Sequence, residues 1–200
     1  MCSSDPRTGR HDALLQFFVE RADAAIDDAV RADVLARAAV LAEKQLDYET
    51  LIVDLRKNEQ HSPEFLALNP FHKVPVLVEE EDGADGRTVI YDSTVINEYL
   101  EDEYPEPPLM PQGDSAARAR VRQLEDYADN AFTLSAGTYL IEHAKPAAER
   151  DPERLRKAKE EVDRALALLE HELAGGKEYL AGAFSLADCA FAPRLLLLVA

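Results

Sequence analysis

The chain reads as a mixed α/β domain followed by an all-helical one, and three observations predict that division. A block from Asn69 to Ser93, NPFHKVPVLVEEEDGADGRTVIYDS, holds two apolar, β-branched runs separated by a Gly- and Asp-rich turn, with a polar pair closing it. A second block, YPEPPLMPQGD from Tyr104 to Asp114, packs four prolines into eight residues, which cannot continue a helix and favour a stiff, extended connection. Beyond it every apolar pattern has helical spacing. The expected organisation is a lead over 1–12, an α/β domain over 13–103, a proline-rich linker over 104–113 and a helical-bundle domain over 114–200.

Taken in order, LLQFFV from Leu14 to Val19 fits either a strand or the first turn of an Ala-rich helix running from about Glu20 to Lys44. YETLIVDL, Tyr48 to Leu55, is a strand by its β-branched content. Ser62-Pro63-Glu64 opens a short helix, with Ser as cap and Pro at the first helical position, and Asn69-Pro70 ends it. Strands follow at Val74–Glu79 and Thr88–Tyr91, and then a helix with Val95, Ile96, Tyr99 and Leu100 on one face. In the second domain one long helix is expected from Ser115 to His143. Another follows Asp151-Pro152 and ends at Gly175-Gly176, and a last apolar helix begins at Ser185.

Two hundred residues suffice for a sizeable core in one or two domains. A formal charge of −17 argues against a nucleic-acid-binding surface, which needs clustered Lys and Arg. Cys2 and Cys189 are the only cysteines, so no disulfide framework is indicated. No apolar run approaches the length of a membrane span, and MCSSDPRTGRHD lacks the apolar centre of a signal peptide. A cytoplasmic location without membrane contact is the expectation.

Proline donates no ladder hydrogen bond, so Val74-Pro75 belongs at a strand start, an edge or a bulge, with its peptide turned either to solvent or to a cleft. Asp92-Ser93 at a helix N-terminus gathers a carboxylate, a hydroxyl and free backbone N–H groups, which suits a small zwitterion; Ser93 also fits a plain helix cap. In FSLADCAFAP, Ser185 and Asp188 have the spacing of a capping box, read as structural. Cys189 inside that apolar helix is read as an inert core thiol, and Glu79 to Asp85 as a solvated hairpin turn. His72 would need further ligands nearby to hold a metal, and none is visible in the sequence, so no metal is expected.

On these residues the chain resembles the glutathione transferase family, over roughly Ala36 to Ala200. The resemblance implies a thioredoxin-like first domain followed by an all-α second one. It implies glutathione as ligand or cosubstrate, with its backbone on a cis Val74-Pro75 peptide and its γ-glutamyl end on Asp92 and Ser93. Lys73 stands at a position whose side chain reaches the glycyl carboxylate; a solvated lysine is the other reading. The Ser-x-x-Asp of Ser185 and Asp188 recurs in the family as a buried folding element, and members pair as homodimers.

One family element is missing. A loop after the first strand supplies a Ser, Tyr or Cys at the first helix's N-terminus, where donated hydrogen bonds and the helix dipole stabilise a thiolate. Counting back from AEKQLDYE places that loop near Arg31 to Leu35, yet apart from Thr8 no Ser, Thr, Tyr or Cys stands between Asp5 and Asp47. The catalytic residue is therefore unassigned and activity is left open. The chain also stops inside a helix that the family continues. Divergence, a fragment and a reading-frame error upstream of about Ala36 all stay open. Within the superfamily the nearest flavour is the stringent starvation protein A group, which implies a non-catalytic regulator that binds RNA polymerase. That group carries His between two linker prolines, where this chain has Glu106 between Pro105 and Pro107.

Overall fold

A computed structural model of the chain describes residues 13–20, 28–81 and 86–199. The ambiguous LLQFFV run is a strand: β1 spans Ala13–Glu20, and Leu15, Phe17 and Val19 are buried, the period-two pattern of a strand. Helix α1 (Asp28–Glu43) leads to β2 (Tyr48–Val53), which lies parallel to β1. Strands β3 (Val76–Glu81) and β4 (Arg87–Tyr91) complete a four-stranded sheet in the order β2-β1-β3-β4, with β3 antiparallel to both β1 and β4. Positions 82–85 of the predicted turn lie outside the described residues.

Strand β2 stops two residues before the predicted Leu55, because Asp54 turns the chain into a 3-10 turn by accepting the Arg56 N–H at 3.1 Å. Helix α2 (Pro63–Leu66) starts as its sequence requires, with Ser62 Oγ accepting the Phe65 N–H at 3.2 Å and proline in the first turn. It lays Phe65 on one face of the sheet against Val53, Val76 and Val78. Helix α3 (Ser93–Glu103) buries Ile96 and Leu100, whereas Val95, expected on the same face, is half exposed to solvent.

Glu79 corrects the reading of Glu79 to Asp85 as a solvated turn. Strand β3 runs on to Glu81, and Glu79 is buried where its carboxylate accepts the hydroxyls of Tyr99 and Tyr104. A carboxylate leaves water at acceptable cost only when hydrogen-bonded, and the two tyrosines supply those bonds. Buried Lys44 is matched in the same way: its Nζ donates to Glu101 at 2.8 Å and to the carbonyls of Tyr104 and Pro107 at 2.7 and 3.1 Å.

The chain forms two compact units: Ala38–Pro107 together with β1, and the residues from Pro108 on together with 28–37 of α1. In the second unit the long helix predicted from Ser115 to His143 is α4 (Ser115–Tyr127) and α5 (Thr133–Ala144), joined by a π-helical turn at Ala128–Phe132. That turn presents Asp129 to two arginines. Arg37 of α1 donates to it at 2.9 Å and Arg194 at 2.7 Å, and both arginine side chains are almost wholly buried. Helix α6 (Pro152–Glu172) is capped by Asp151, which accepts the N–H groups of Glu153 and Arg154, each at 3.0 Å, and it buries Ala158, Val162, Ala165 and Leu169. The chain then passes Gly175 and Gly176, both at positive φ.

Glu142 near the end of α5 gathers Lys145 at 2.8 Å, the Asp151 N–H at 3.1 Å and Arg154 at 3.3 Å. The Lys145 hydrogen bond, joined by that N–H and by both cations, holds the Glu142 carboxyl below the ordinary glutamate range. Its folded value is depressed, so its contribution is complete above the unfolded value of about 4.3 and is lost as pH falls through the folded one. Urea midpoints taken between about pH 6 and pH 3 are expected to fall less steeply in Glu142→Gln than in the parent chain. Parallel curves would deny Glu142 this role.

Helix α7 (Leu186–Val199) follows the predicted capping box. Asp188 Oδ2 accepts the Ser185 N–H at 3.0 Å and the Ser185 hydroxyl at 2.9 Å, while Oδ1 accepts the Leu180 N–H at 3.0 Å. The Asp half of the box is thus in place, and it ties the preceding loop to the helix as well. Asp188→Ala is expected to cost about 0.5–2 kcal/mol and to lower the melting temperature by several degrees. The ligand affinity of the folded fraction should stay unchanged. An unshifted melt with lost affinity would move Asp188 into a ligand site.

Candidate functional site

A pocket of about 370 Å3 opens in the α/β unit where the α2–β3 connection meets the start of α3, and Asn69, Lys73, Val74, Pro75, Asp92 and Ser93 line it. All five residues expected to hold a ligand are therefore in one place. The Val74-Pro75 peptide is cis, and ladder pairing begins only at Val76. Val74 thus stands ahead of the ladder, with its backbone at the pocket wall.

The connection is held by Asn69, which is 2% exposed. Its side-chain amide donates to the Lys73 carbonyl at 2.7 Å, its Oδ1 accepts the Phe71 N–H at 2.9 Å, and its carbonyl accepts the His72 N–H at 3.0 Å. One short polar side chain thereby closes the turn on itself, the reason Asn suits such positions. Lys73 stays exposed at the end of this turn.

On the other wall the cap is Asp92 and not Ser93. Asp92, at a φ of 78°, accepts the N–H groups of Thr94 at 3.1 Å and Val95 at 3.4 Å, and Ser93 is the first residue of α3. Among the described residues the Ser93 hydroxyl serves no cap, which leaves it for a bound group beside the helix N-terminus. The pocket thus presents a cation at Lys73, a carboxylate at Asp92 and a hydroxyl at a helix start, a set matched to a small zwitterion with extended backbone.

Sequence reasoning missed Asn69, Phe71 and Tyr91, which also line the pocket. Phe71 and Tyr91 meet edge to face with ring centroids 5.8 Å apart, and Phe71 is 60% exposed. The sequence marks Asn69 only as the end of a helix; an Asn-Pro pair ahead of a strand proline is the signal that points further.

The predicted thiolate-stabilising loop is displaced. Arg31 to Leu35 are helical, inside α1, so the β1–α1 connection is 21–27, which lies outside the described residues. Its sequence, RADAAID, contains no Ser, Thr, Tyr or Cys. Cys189 is buried at 2% exposure, as expected of a core thiol, and Cys2 lies outside the described residues. The rings of His61 and His72 lie tilted at 39° with centroids 4.6 Å apart, a neighbour for His72 that the sequence did not reveal. Among the described residues no group of three or more metal-ligating side chains forms, and no helix is long and apolar enough to cross a membrane.

Comparison with known proteins bears on the family and the fold. Residues 38–103 match the family described as glutathione S-transferase, N-terminal domain, and residues 130–199 match glutathione S-transferase, C-terminal domain. A glutathione S-transferase 1 of Dianthus caryophyllus is 36% identical over 76% of this chain, which spans 66% of that relative's length. Glutathione S-transferase F10 of Arabidopsis thaliana is 37% identical over 78% of this chain and 73% of its own. A stringent starvation protein A homolog of Histophilus somni is 31% identical, covering 78% of this chain and 65% of its own. Among solved structures, a glutathione transferase of Phanerochaete chrysosporium with oxidized glutathione superposes with a TM-score of 0.75 at 27% identity, covering 94% of this chain and 80% of that one. A thioredoxin-like unit with a cis-proline pocket, a helical unit with its Ser-x-x-Asp box, and relatives that share both halves lead to one assignment: the chain belongs to the glutathione transferase family.

Proposed function

We propose that the chain binds glutathione in the pocket of Asn69 to Ser93, and that any transferase activity is conjugation of the glutathione sulfur to an electrophile. The observation that carries this reading is the convergence of Lys73, Val74, Pro75, Asp92 and Ser93 on one pocket. The tripeptide's extended backbone would pair with Val74, and its γ-glutamyl end would lie at Asp92, Ser93 and the N-terminus of α3. Its glycyl carboxylate would face Lys73. In the conjugation the sulfur bonds to an electrophilic carbon as the leaving group departs, and the thiol proton passes to solvent. We extend to the chain the homodimeric state and the cytoplasmic location of the family. The polymerase-binding alternative draws on the missing Ser, Tyr or Cys ahead of α1 and on the likeness to the stringent starvation protein A homolog, and the linker opposes it, with Glu106 where that group carries His.

Calorimetric titration of glutathione tests the site. Wild type is expected to bind, and Ser93→Ala to bind about tenfold or more weakly, since a hydrogen bond to a charged group contributes roughly 1.5–3 kcal/mol. Ser93 is not the cap of α3, so the variant should fold normally. Equal binding by the two proteins would remove the assignment.

A further inference from the structure

We propose that the sheet face beneath α2 carries a second ligand site, separate from the glutathione pocket, that takes an aromatic carboxylate. A cavity of about 520 Å3 lies there, larger than the glutathione pocket and within the usual size range of small-molecule sites. None of its lining residues lines the other pocket, and all belong to the α/β unit. It exists because α2 is a single turn, Pro63–Leu66, too short to cover the face on which Phe18 and Leu51 sit side by side in register.

The walls define the ligand. Phe18, Leu51, Val53, Phe65 and Leu68 make an apolar body. Phe18 and Phe65 already meet edge to face, with centroids 6.3 Å apart and planes at 68°, so a flat ring can join an existing aromatic pair. Two polar lining groups are committed elsewhere: Ser62 Oγ to the Phe65 N–H, and the Glu59 carboxylate to the Asp54 N–H at 2.7 Å. Glu64 projects to solvent from the first turn of α2.

Arg87, the first residue of β4, is the only cation among the described residues that line the cavity. Among those residues it makes no ion pair, even with Glu80, which stands opposite it in the ladder. Arg87 is exposed at the cavity's rim, where its guanidinium can meet an anion, while the Glu59 carboxylate faces the Asp54 N–H and Glu64 faces solvent. The planar guanidinium fork matches a carboxylate in two hydrogen bonds.

The test uses 2-naphthoate and its neutral counterpart 2-naphthalenemethanol, titrated into the full chain with and without glutathione. The sequence has no tryptophan, so naphthalene emission can be followed without that background. One naphthoate should bind per chain, about three- to fivefold tighter than the alcohol, the scale of an exposed ion pair. Arg87→Gln should abolish that preference, glutathione should not compete, and methyl resonances of Leu51 and Leu68 should shift. The proposal is overturned by absent binding, by an alcohol that binds equally well, by a preference that survives Arg87→Gln, by competition from glutathione, or by shifts confined to other residues. Because the naphthoate measurement stands without glutathione, its outcome is independent of the first pocket's.

Discussion

Asp129→Ala is expected to unfold the helical unit far more readily than any surface change, at a cost of about 3–5 kcal/mol. The reason is the company it keeps. Two arginine side chains, 0% and 2% exposed, converge on its carboxylate from opposite ends of the sequence. Guanidinium groups do not lose their charge by deprotonation, so removing the carboxylate leaves cations in a site from which water is excluded. Against a total stability of 5–15 kcal/mol for a typical protein, that loss is a large fraction. Urea unfolding followed by far-ultraviolet circular dichroism measures it directly. Asp129→Asn keeps a hydrogen-bond acceptor in place and should fall between wild type and alanine. A shift below about 1 kcal/mol for Asp129→Ala, the range of exposed pairs, would show the cluster to be energetically idle.

Conjugation of glutathione to chlorodinitrobenzene should be slow. No Ser, Thr, Tyr or Cys occurs in β1, in 21–27 or in α1, so no hydroxyl or thiol from that stretch can donate to the bound sulfur. A thiol left near its free value of about 8.5 is only about 3% thiolate at pH 7. The nucleophile would therefore be about thirtyfold scarcer than in a site that ionises it fully. The rate at saturating glutathione should also climb with pH up to about 8.5, tracking a thiol with its ordinary value. A high, pH-independent rate between about pH 6 and pH 8 would reveal a donor elsewhere in the chain.

Much of this was legible in the sequence wherever one local rule sufficed. Ser62-Pro63, Asp151-Pro152 and Ser185-x-x-Asp188 each announce a helix start, and each is one. Val74-Pro75 and Asp92-Ser93 meet in one pocket, as the family resemblance of the block that holds them implies. What escaped depends on distant partners. Glu79 reads as solvated until Tyr99 and Tyr104 arrive from α3 and its C-terminal end, and nothing local tells Asp129 that it will meet Arg37 and Arg194. Ser93 and Asp92 exchanged roles because either side chain can cap, and only the backbone of α3 decides between them. Counting back from the end of α1 failed because helix length is not written in an alanine-rich stretch whose residues favour helix throughout.

The Arg37–Asp129–Arg194 cluster also sets an order of events during synthesis. Arg37 leaves the ribosome first, Asp129 follows after the separation of 92 between them, and Arg194 after a further 65. Until the last helix emerges, a guanidinium destined for burial has to remain in water, and the front of α1 cannot take its final place. The α/β unit needs only Ala38–Pro107 and β1, so it can close early. The helical unit waits for both ends of the chain. Translation stalled between Asp129 and Arg194 should therefore leave a nascent chain whose α/β unit resists protease while its helices are cut.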